Sequence, residues 1–167
     1  MMECTLREWR LEDAKELAAL LNNQKIQANL RDGLPYPYRK TDAEEFILTT
    51  LLTNRELSLA IVVEDRVIGS IGVFRQENIH VRTAEIGYYL GEPYWGKGLG
   101  TAALKQICQY IFETTDIVRL FAEPFSDNIS SCRILEKAGF QLEGSLRKSV
   151  FKNGEFKDQQ MYSLIKE

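Results

Sequence analysis

The chain has 167 residues, 44% of them hydrophobic, and a formal net charge of −3. That length suits one domain with a real core and is short for two, so a single domain over 1–167 is expected. The mild acidity implies no basic face for nucleic acid, and no segment approaches the ~20 apolar residues of a membrane helix.

The first residues, Met-Met-Glu-Cys-Thr-Leu-Arg-Glu-Trp-Arg, carry charge where a signal peptide needs an apolar run, so a cytoplasmic protein is expected. Thr5–Trp9 reads as a short strand. Asp13 falls in the first turn of a helix with the apolar stripe Leu17, Ala18, Leu20 and Leu21, where an acid favours the helix end. Asn22–Lys40 lacks a clean period and holds Asp32-Gly33 and Pro35-Tyr36-Pro37-Tyr38, which predicts a loop or a broken helix. Thr41-Asp42-Ala43-Glu44 has the form of a capping box and predicts a second helix to about Leu52.

The period then changes. Leu57, Leu59, Ile61 and Val63 alternate, Glu64-Asp65-Arg66 turns the chain, and Val67–Arg75 and Ala84–Leu90 follow as strands. These three make an antiparallel meander. Tyr94-Trp95-Gly96-Lys97-Gly98-Leu99-Gly100-Thr101 leads into a helix to about Thr114, and Ile117–Ala122 is an apolar strand. Strand, helix and strand form one right-handed crossover with parallel strands. Asn128 opens a helix that Gly139 ends. Phe140–Phe151 and Phe156–Ile165 are extended runs around Lys152-Asn153-Gly154-Glu155, and Asn-Gly is a strong hairpin signal. The class is α/β with a mixed sheet: an antiparallel meander, one βαβ crossover and a C-terminal hairpin.

A glycine-rich run opening a helix suits an anionic group, most often a phosphate. A Walker loop needs Gly-x4-Gly-Lys-Ser/Thr, which Lys97 and Gly100-Thr101 do not supply. The dinucleotide fingerprint matches formally over Gly98–Ala103, with Glu123 about 20 residues on. Glu92-Pro93-Tyr94-Trp95 separates it from its strand, however, and the chain has one βα unit rather than several. A coenzyme A pyrophosphate site is the third reading.

On that segment the chain resembles the GNAT acetyltransferases. Their loop usually has Gln/Arg-x-x-Gly-x-Gly/Ala. Here Trp95 stands at the Gln/Arg position, and Tyr-Trp-Gly-x-Gly is typical of the RimJ/RimL-like branch, which acetylates ribosomal-protein N-termini. Leu34-Pro35-Tyr36-Pro37-Tyr38, Ala84-Glu85-Ile86-Gly87-Tyr88, Asn128-x-x-Ser131 through Gly139-Phe140, Glu143-Gly144-Ser145-Leu146-Arg147, and Asp158 with Tyr162 extend the likeness along nearly the whole chain. The resemblance implies an acetyl-CoA-dependent N-acetyltransferase acting on a protein N-terminal α-amine by direct attack in a ternary complex. A small amine acceptor (a polyamine or an antibiotic) and a CoA-binding sensor without turnover are the alternatives.

The attacking amine must be neutral. At pH 7 that costs about 1.4 kcal/mol for an α-amine and about 4.6 kcal/mol for a lysine, so an α-amine needs only modest help from a base. Glu85 is the candidate base, where the family often carries a glutamate acting through water; a solvated acid or a structural ion pair is the competing reading. Alternation puts Glu85, Gly87 and Tyr89 on one face of the strand and Ile86, Tyr88 and Leu90 on the other. The resemblance assigns Ser131 to the leaving thiolate and Asn128 to the pantetheine arm or a water, and Asn128 also suits a helix cap.

Gly96, Lys97, Gly98, Leu99, Gly100 and Thr101 should present backbone N–H groups to the pyrophosphate. Lys97 either adds a screened attraction or is simply solvated. Ile86, Gly87, Tyr88, Tyr89, Leu90 and Trp95 should line the cofactor, the three aromatics as core or as a wall of the pantetheine arm. Arg31, Tyr36 and Tyr38 lie in an irregular loop and could shape the acceptor site. Cys4, Cys108 and Cys132 are too scattered for a zinc or CxxC site and read as small buried residues; no metal is expected. His80, the sole histidine, reads as solvated. The oligomeric state, monomer or homodimer, stays open.

Overall fold

A computed structural model describes residues 2–53 and 56–167. Seven strands form one mixed sheet in the order β1-β2-β3-β4-β5-β7-β6. They are β1 (Thr5–Glu8), β2 (Glu56–Val63), β3 (Arg66–Arg75), β4 (Thr83–Leu90), β5 (Arg119–Ala122), β6 (Gln141–Lys152) and β7 (Glu155–Ile165). The helices are α1 (Ala14–Leu21), α2 (Gln24–Gln27), α3 (Lys40–Leu52), α4 (Leu99–Thr114) and α5 (Ile129–Lys137). This is the expected mixed sheet, with β1 added antiparallel to the edge of the meander. The Asn22–Lys40 stretch is a broken helix: the single turn of α2 followed by irregular chain.

Two tight turns set the register. Glu64 and Asp65 have φ of 49° and 64° between β2 and β3, and Asn153 and Gly154 have φ of 51° and 80° between β6 and β7. Two left-handed residues in succession match the strand twist, so each turn joins neighbouring strands directly. α4 carries the chain from β4 to β5, which pair in parallel through Thr83↔Arg119, Ala84↔Leu120 and Glu85↔Phe121.

Helices cover both faces of the sheet. On one face Ile61, Ile71 and Ile86 pack with Leu104 and Ile107 of α4 and Leu135 of α5. On the other, Ala60, Val62 and Val67 pack with Leu17 and Leu21 of α1 and Ile47 of α3. Burying each such aliphatic side chain contributes roughly 1.5–3 kcal/mol. The double cover explains why β3 is buried on both faces from Val67 to Val73 instead of alternating. All three cysteines are buried and unpaired, and His80 is exposed in a 3₁₀ turn. Among the described residues no helix is long and apolar enough to cross a membrane, and no group of three or more His, Cys, Asp or Glu could hold a metal ion.

Two helix starts differ from expectation. α3 begins at Lys40, with Arg39 as its cap, so Thr41 lies inside the helix. The Asp42 carboxylate accepts the Arg39 N–H at 2.8 Å, and an ionised acceptor in the first turn moves the boundary two residues upstream of the Thr41 box. Asp13, in turn, does more than favour a helix end. A 3₁₀ turn, Leu11–Asp13, precedes α1. There Asp13 accepts both Arg7 guanidinium nitrogens at 2.8 Å and the Arg10 N–H at 2.8 Å. Its side chain is 9% exposed. Burial raises its pKa, but the Arg7 and Arg10 bonds outweigh burial and hold the carboxyl below the usual range.

Asp13 therefore pins β1 to α1. Asp13→Ala should destabilise the fold by about 1.5–3 kcal/mol, the range for buried hydrogen bonds to a charge. The carboxyl is depressed in the folded state, so its contribution is complete above the unfolded Asp range and fades as pH falls through the folded value. Urea unfolding at neutral and acidic pH checks both the size and the narrowing gap; identical midpoints at neutral pH would show that Asp13 pins nothing.

Candidate active site

β4 and β5 share three residue pairs and then part. Beyond Ala122 the chain stays bonded to β7 on its other edge: Gln160 N–H donates to Pro124 O at 2.9 Å, Ser126 N–H to Asp158 O at 2.8 Å, and Phe125 bridges Gln159. Among the described residues Ile86–Leu90 have β3 as their ladder partner and no pairing to β5, and a fork opens between the two parallel strands.

The glycine run lies at the open end of this fork. Trp95, 42% exposed, donates its indole N–H to Leu90 O at 2.9 Å, which ties the loop back to the end of β4. The three glycines do different work. Gly96 and Gly98 have φ of 72° and 78°, and a Cβ on either would meet open space, so backbone conformation demands glycine there. Gly100 is close-packed: a Cβ would lie 2.9 Å from Ile134 Cδ1, the tip of an α5 side chain, which would have to shift. Gly98 caps α4, and the first turn closes with Ala102 N–H to Gly98 O at 3.1 Å. The N–H groups from Gly96 to Thr101 have no acceptor among the described residues, as the first turn of a helix leaves them. Leu99 is 1% exposed and anchors the turn, while Lys97 is exposed.

Across the fork stands α5. Asn128 caps it, its Oδ1 accepting the Ser131 N–H at 3.3 Å. The Tyr88 hydroxyl lies 2.8 Å from Ser131 Oγ and 3.3 Å from Ser131 O. Burial pushes the Tyr88 hydroxyl up to about 12, against the bond to Ser131. Tyr88, Asn128 and Ser131 thus meet in one place. The expected alternation holds: Ile86, Leu90 and Tyr88 pack with the α4 cluster, whereas Tyr89 packs with the α1 and α3 cluster and bonds to Ser70.

Glu85 faces the opposite side from Tyr88. Arg31 Nη2 donates to both of its oxygens, at 2.7 and 2.9 Å. The guanidinium is largely in solvent, with its side chain 76% exposed, whereas that of Glu85 is 15% exposed. Burial raises the Glu85 pKa, Arg31 opposes the rise, and the neighbouring Glu123 adds to it. Two residues predicted separately, as base and as acceptor contact, are therefore ion-paired.

Beside them is a pocket of about 290 Å³, lined by Leu30, Arg31, Asp32, Glu123, Phe125 and the Ser149–Lys152 end of β6, with Gln159 of β7. Lys152 Nζ donates to Asp32 Oδ1 at 2.8 Å with its own side chain 9% exposed, so the hairpin is tied to the Arg31 loop. Tyr36, at 53% exposure, is open to solvent in that loop. Tyr38 is not: it is 5% exposed and belongs to the α1 and α3 core, with its N–H donated to Asn22 Oδ1 at 2.9 Å. Tyr38 and the fully buried Ala43 occupy the N′ and N4 positions of α3, those of a hydrophobic staple, which is the signal that separates Tyr38 from Tyr36. Glu123, Phe151 and Lys152 were not expected in a site. A carboxylate at a strand end just before a proline was the one available hint.

Residues 3–141 match the family described as "Acetyltransferase (GNAT) domain". An uncharacterized N-acetyltransferase of Bacillus licheniformis is 32% identical over 97% of this chain and 92% of its own length. The probable N-acetyltransferase YjcK of Bacillus subtilis is 37% identical over 61% of this chain, and the chain covers just 56% of that relative. A ribosomal-protein-serine acetyltransferase of Escherichia coli is 33% identical over 61% of this chain and 56% of its own length. Among solved structures, the microcin self-immunity acetyltransferase MccE, in complex with acetyl-CoA and AMP, superposes with a TM-score of 0.85 at 30% identity, over 98% of this chain and 92% of its own. A spermidine N-acetyltransferase of Vibrio cholerae, in complex with CoA and spermine, shares the fold with a TM-score of 0.83 at 22% identity, over 98% and 96%.

The Asn128 cap can be tested apart from any chemistry. Asn128→Ala should cost about 1 kcal/mol of stability, the usual value of a side-chain cap. Thermal unfolding of the two proteins checks it, and an unshifted midpoint would leave Asn128 without a capping role.

Proposed function

This chain belongs to the GNAT acetyltransferase family, and on that premise we propose that it transfers acetyl from acetyl-CoA to a primary amine, in the first place a protein N-terminal α-amine. The observation that carries the reading is the fork, with a row of unpaired N–H groups at its mouth, hydroxyls on one face of β4 and a carboxylate on the other. The N–H groups of Gly96 to Thr101 would hold the pyrophosphate. Bound there, acetyl-CoA supplies an activated acyl group on a thiol leaving group.

The amine reaches the acyl carbon from the Glu85 side. Its nitrogen forms the new C–N bond, the C–S bond breaks with its electron pair on sulfur, and the surplus proton of the amine passes to Glu85, directly or through a water. A carboxylate held above its ordinary pKa by burial is a stronger base than an exposed one. The incoming amine shares Glu85 with Arg31, whose mostly exposed side chain has room to move aside. The names of relatives support both a protein and a polyamine acceptor. The small-amine reading draws its own support from the modest 290 Å³ pocket and its carboxylates Asp32 and Glu123.

Release of free thiol from acetyl-CoA is the direct test, with serine- and alanine-starting peptides, lysine peptides, polyamines and aminoglycosides as acceptors. Serine- or alanine-starting peptides should be used best. Preferential use of a polyamine moves the assignment to the second reading, and thiol release with no acceptor leaves a binder without transfer.

Two sets of variants probe the parts. Gly98→Val puts a β-branched residue at φ of 78°, which such side chains strongly disfavour. CoA binding measured by calorimetry should weaken at least about tenfold as the loop reorganises; near-normal binding would remove the loop from the site. Glu85→Gln should lower kcat by about a hundredfold, the scale of general base catalysis, at an unchanged KM for acetyl-CoA. The base must be deprotonated to act, so the acidic limb of kcat/KM reports Glu85. Arg31 lowers that pKa, hence Arg31→Ala should shift the limb to higher pH. A limb that stays in place in Arg31→Ala, or survives in Glu85→Gln, would assign it to another group.

A further inference from the structure

Ser131 is held from both ends. Its N–H is donated to Asn128 Oδ1 at 3.3 Å, and its carbonyl lies 3.3 Å from the Tyr88 hydroxyl, which is also 2.8 Å from Ser131 Oγ. These bonds span the fork, joining β4 to the first turn of α5. Two hydroxyls this close share their protons in one of two ways. In one, Ser131 donates to Tyr88, and Tyr88 donates to the Ser131 carbonyl, so both hydrogens are used within the pair. In the other, Tyr88 donates to Ser131 Oγ, and the Ser131 hydrogen is left to point into the fork. An anion in the fork favours the second arrangement, because only that one offers it a donor.

We propose that Tyr88 is a positioning residue for the departing thiolate: its hydroxyl donates to Ser131 Oγ and thereby aims the Ser131 O–H at the sulfur. This rests on the acetyl-transfer reading above. When the C–S bond breaks, the electron pair stays on sulfur, and the developing charge is met by the Ser131 O–H. That donor is itself polarised by the Tyr88 bond behind it, and such chains strengthen cooperatively in a low-dielectric site. No proton leaves Tyr88. A hydroxyl pushed up to about 12 is a far weaker acid than a thiol near 8.5, so the pair stabilises the thiolate by hydrogen bonding, while the proton from the amine goes to Glu85. The remaining ring of Tyr88 packs against the α4 cluster, and Tyr88→Phe retains that packing while removing the hydroxyl.

The role predicts a property of bound product that does not require turnover. CoA bound to the wild type should have its thiol titrate below that of free CoA, read from the ultraviolet absorbance of the thiolate. Tyr88→Phe and Ser131→Ala should each move that titration back toward free CoA by about one pH unit, a tenfold change in thiolate stability. The double variant should be no worse than Ser131→Ala alone, because one residue acts through the other. In turnover, Tyr88→Phe should lower kcat about tenfold with the acetyl-CoA KM unchanged, with the same non-additivity. A wild-type thiol titration in Tyr88→Phe, or effects that multiply in the double variant, would overturn the proposal. A wild type that depresses the CoA thiol in a Tyr88-dependent way, yet releases no thiol with any amine, supports the thiolate role while rejecting acetyl transfer. Failure of the wild type to bind CoA overturns both.

Discussion

β4 and β5 run parallel for three residue pairs and then separate, while β5 and the chain beyond Ala122 stay bonded to β7 along the opposite edge. A sheet that had continued to pair would have left no opening between these strands, and every polar group along Ile86–Leu90 would have been used in the ladder. The separation places the start of α4 at one end of a gap and the start of α5 beside it. The first turn of α4 keeps unpaired N–H groups, while in α5 the Asn128 side chain takes the Ser131 N–H. At Gly100 the Ile134 side chain of α5 packs against the first turn of α4.

The fork also has different polar groups on the two faces of β4. Alternation along the strand sends Tyr88 toward α5 and Glu85 toward the Arg31 loop. On opposite faces of an opened strand the two groups border one gap without contending for the same position. The environments differ accordingly: the Tyr88 hydroxyl sits among apolar residues and a serine, while Glu85 balances burial against a mostly exposed guanidinium.

The pocket beside Glu85 is assembled from distant parts of the chain. Lys152, at the end of β6, reaches Asp32 in the loop that follows α2, and the same loop delivers Arg31 to Glu85. The C-terminal hairpin is thereby part of the pocket wall, and the walls carry both signs of charge. A buried ammonium needs a partner, and Asp32 supplies one from solvent, which couples the hairpin position to that of the loop.

Much of this was legible from residue order alone. Alternation at Leu57–Val63, the 3.6-residue period after Gly98, the Asn153-Gly154 turn and the Asn128 cap are near-neighbour effects, and each appears where it was expected. The glycine run and its Trp95 variant pointed to the family, and the face assignments of Glu85 and Tyr88 followed from a two-residue period. Other features depend on pairs far apart in sequence. Arg31 and Glu85 are separated by 54 positions and Asp32 and Lys152 by 120, and no local pattern marks either pair. Tyr36 and Tyr38 look alike in a Pro-Tyr repeat, and only packing beside Ala43 buries one of them. Periodicity and turn chemistry are set by backbone geometry over a few residues, so the sequence determined the elements and their faces. Where β4 and β5 would part, and which charges would meet, depended on partners far apart in sequence, and only the folded chain brings those together.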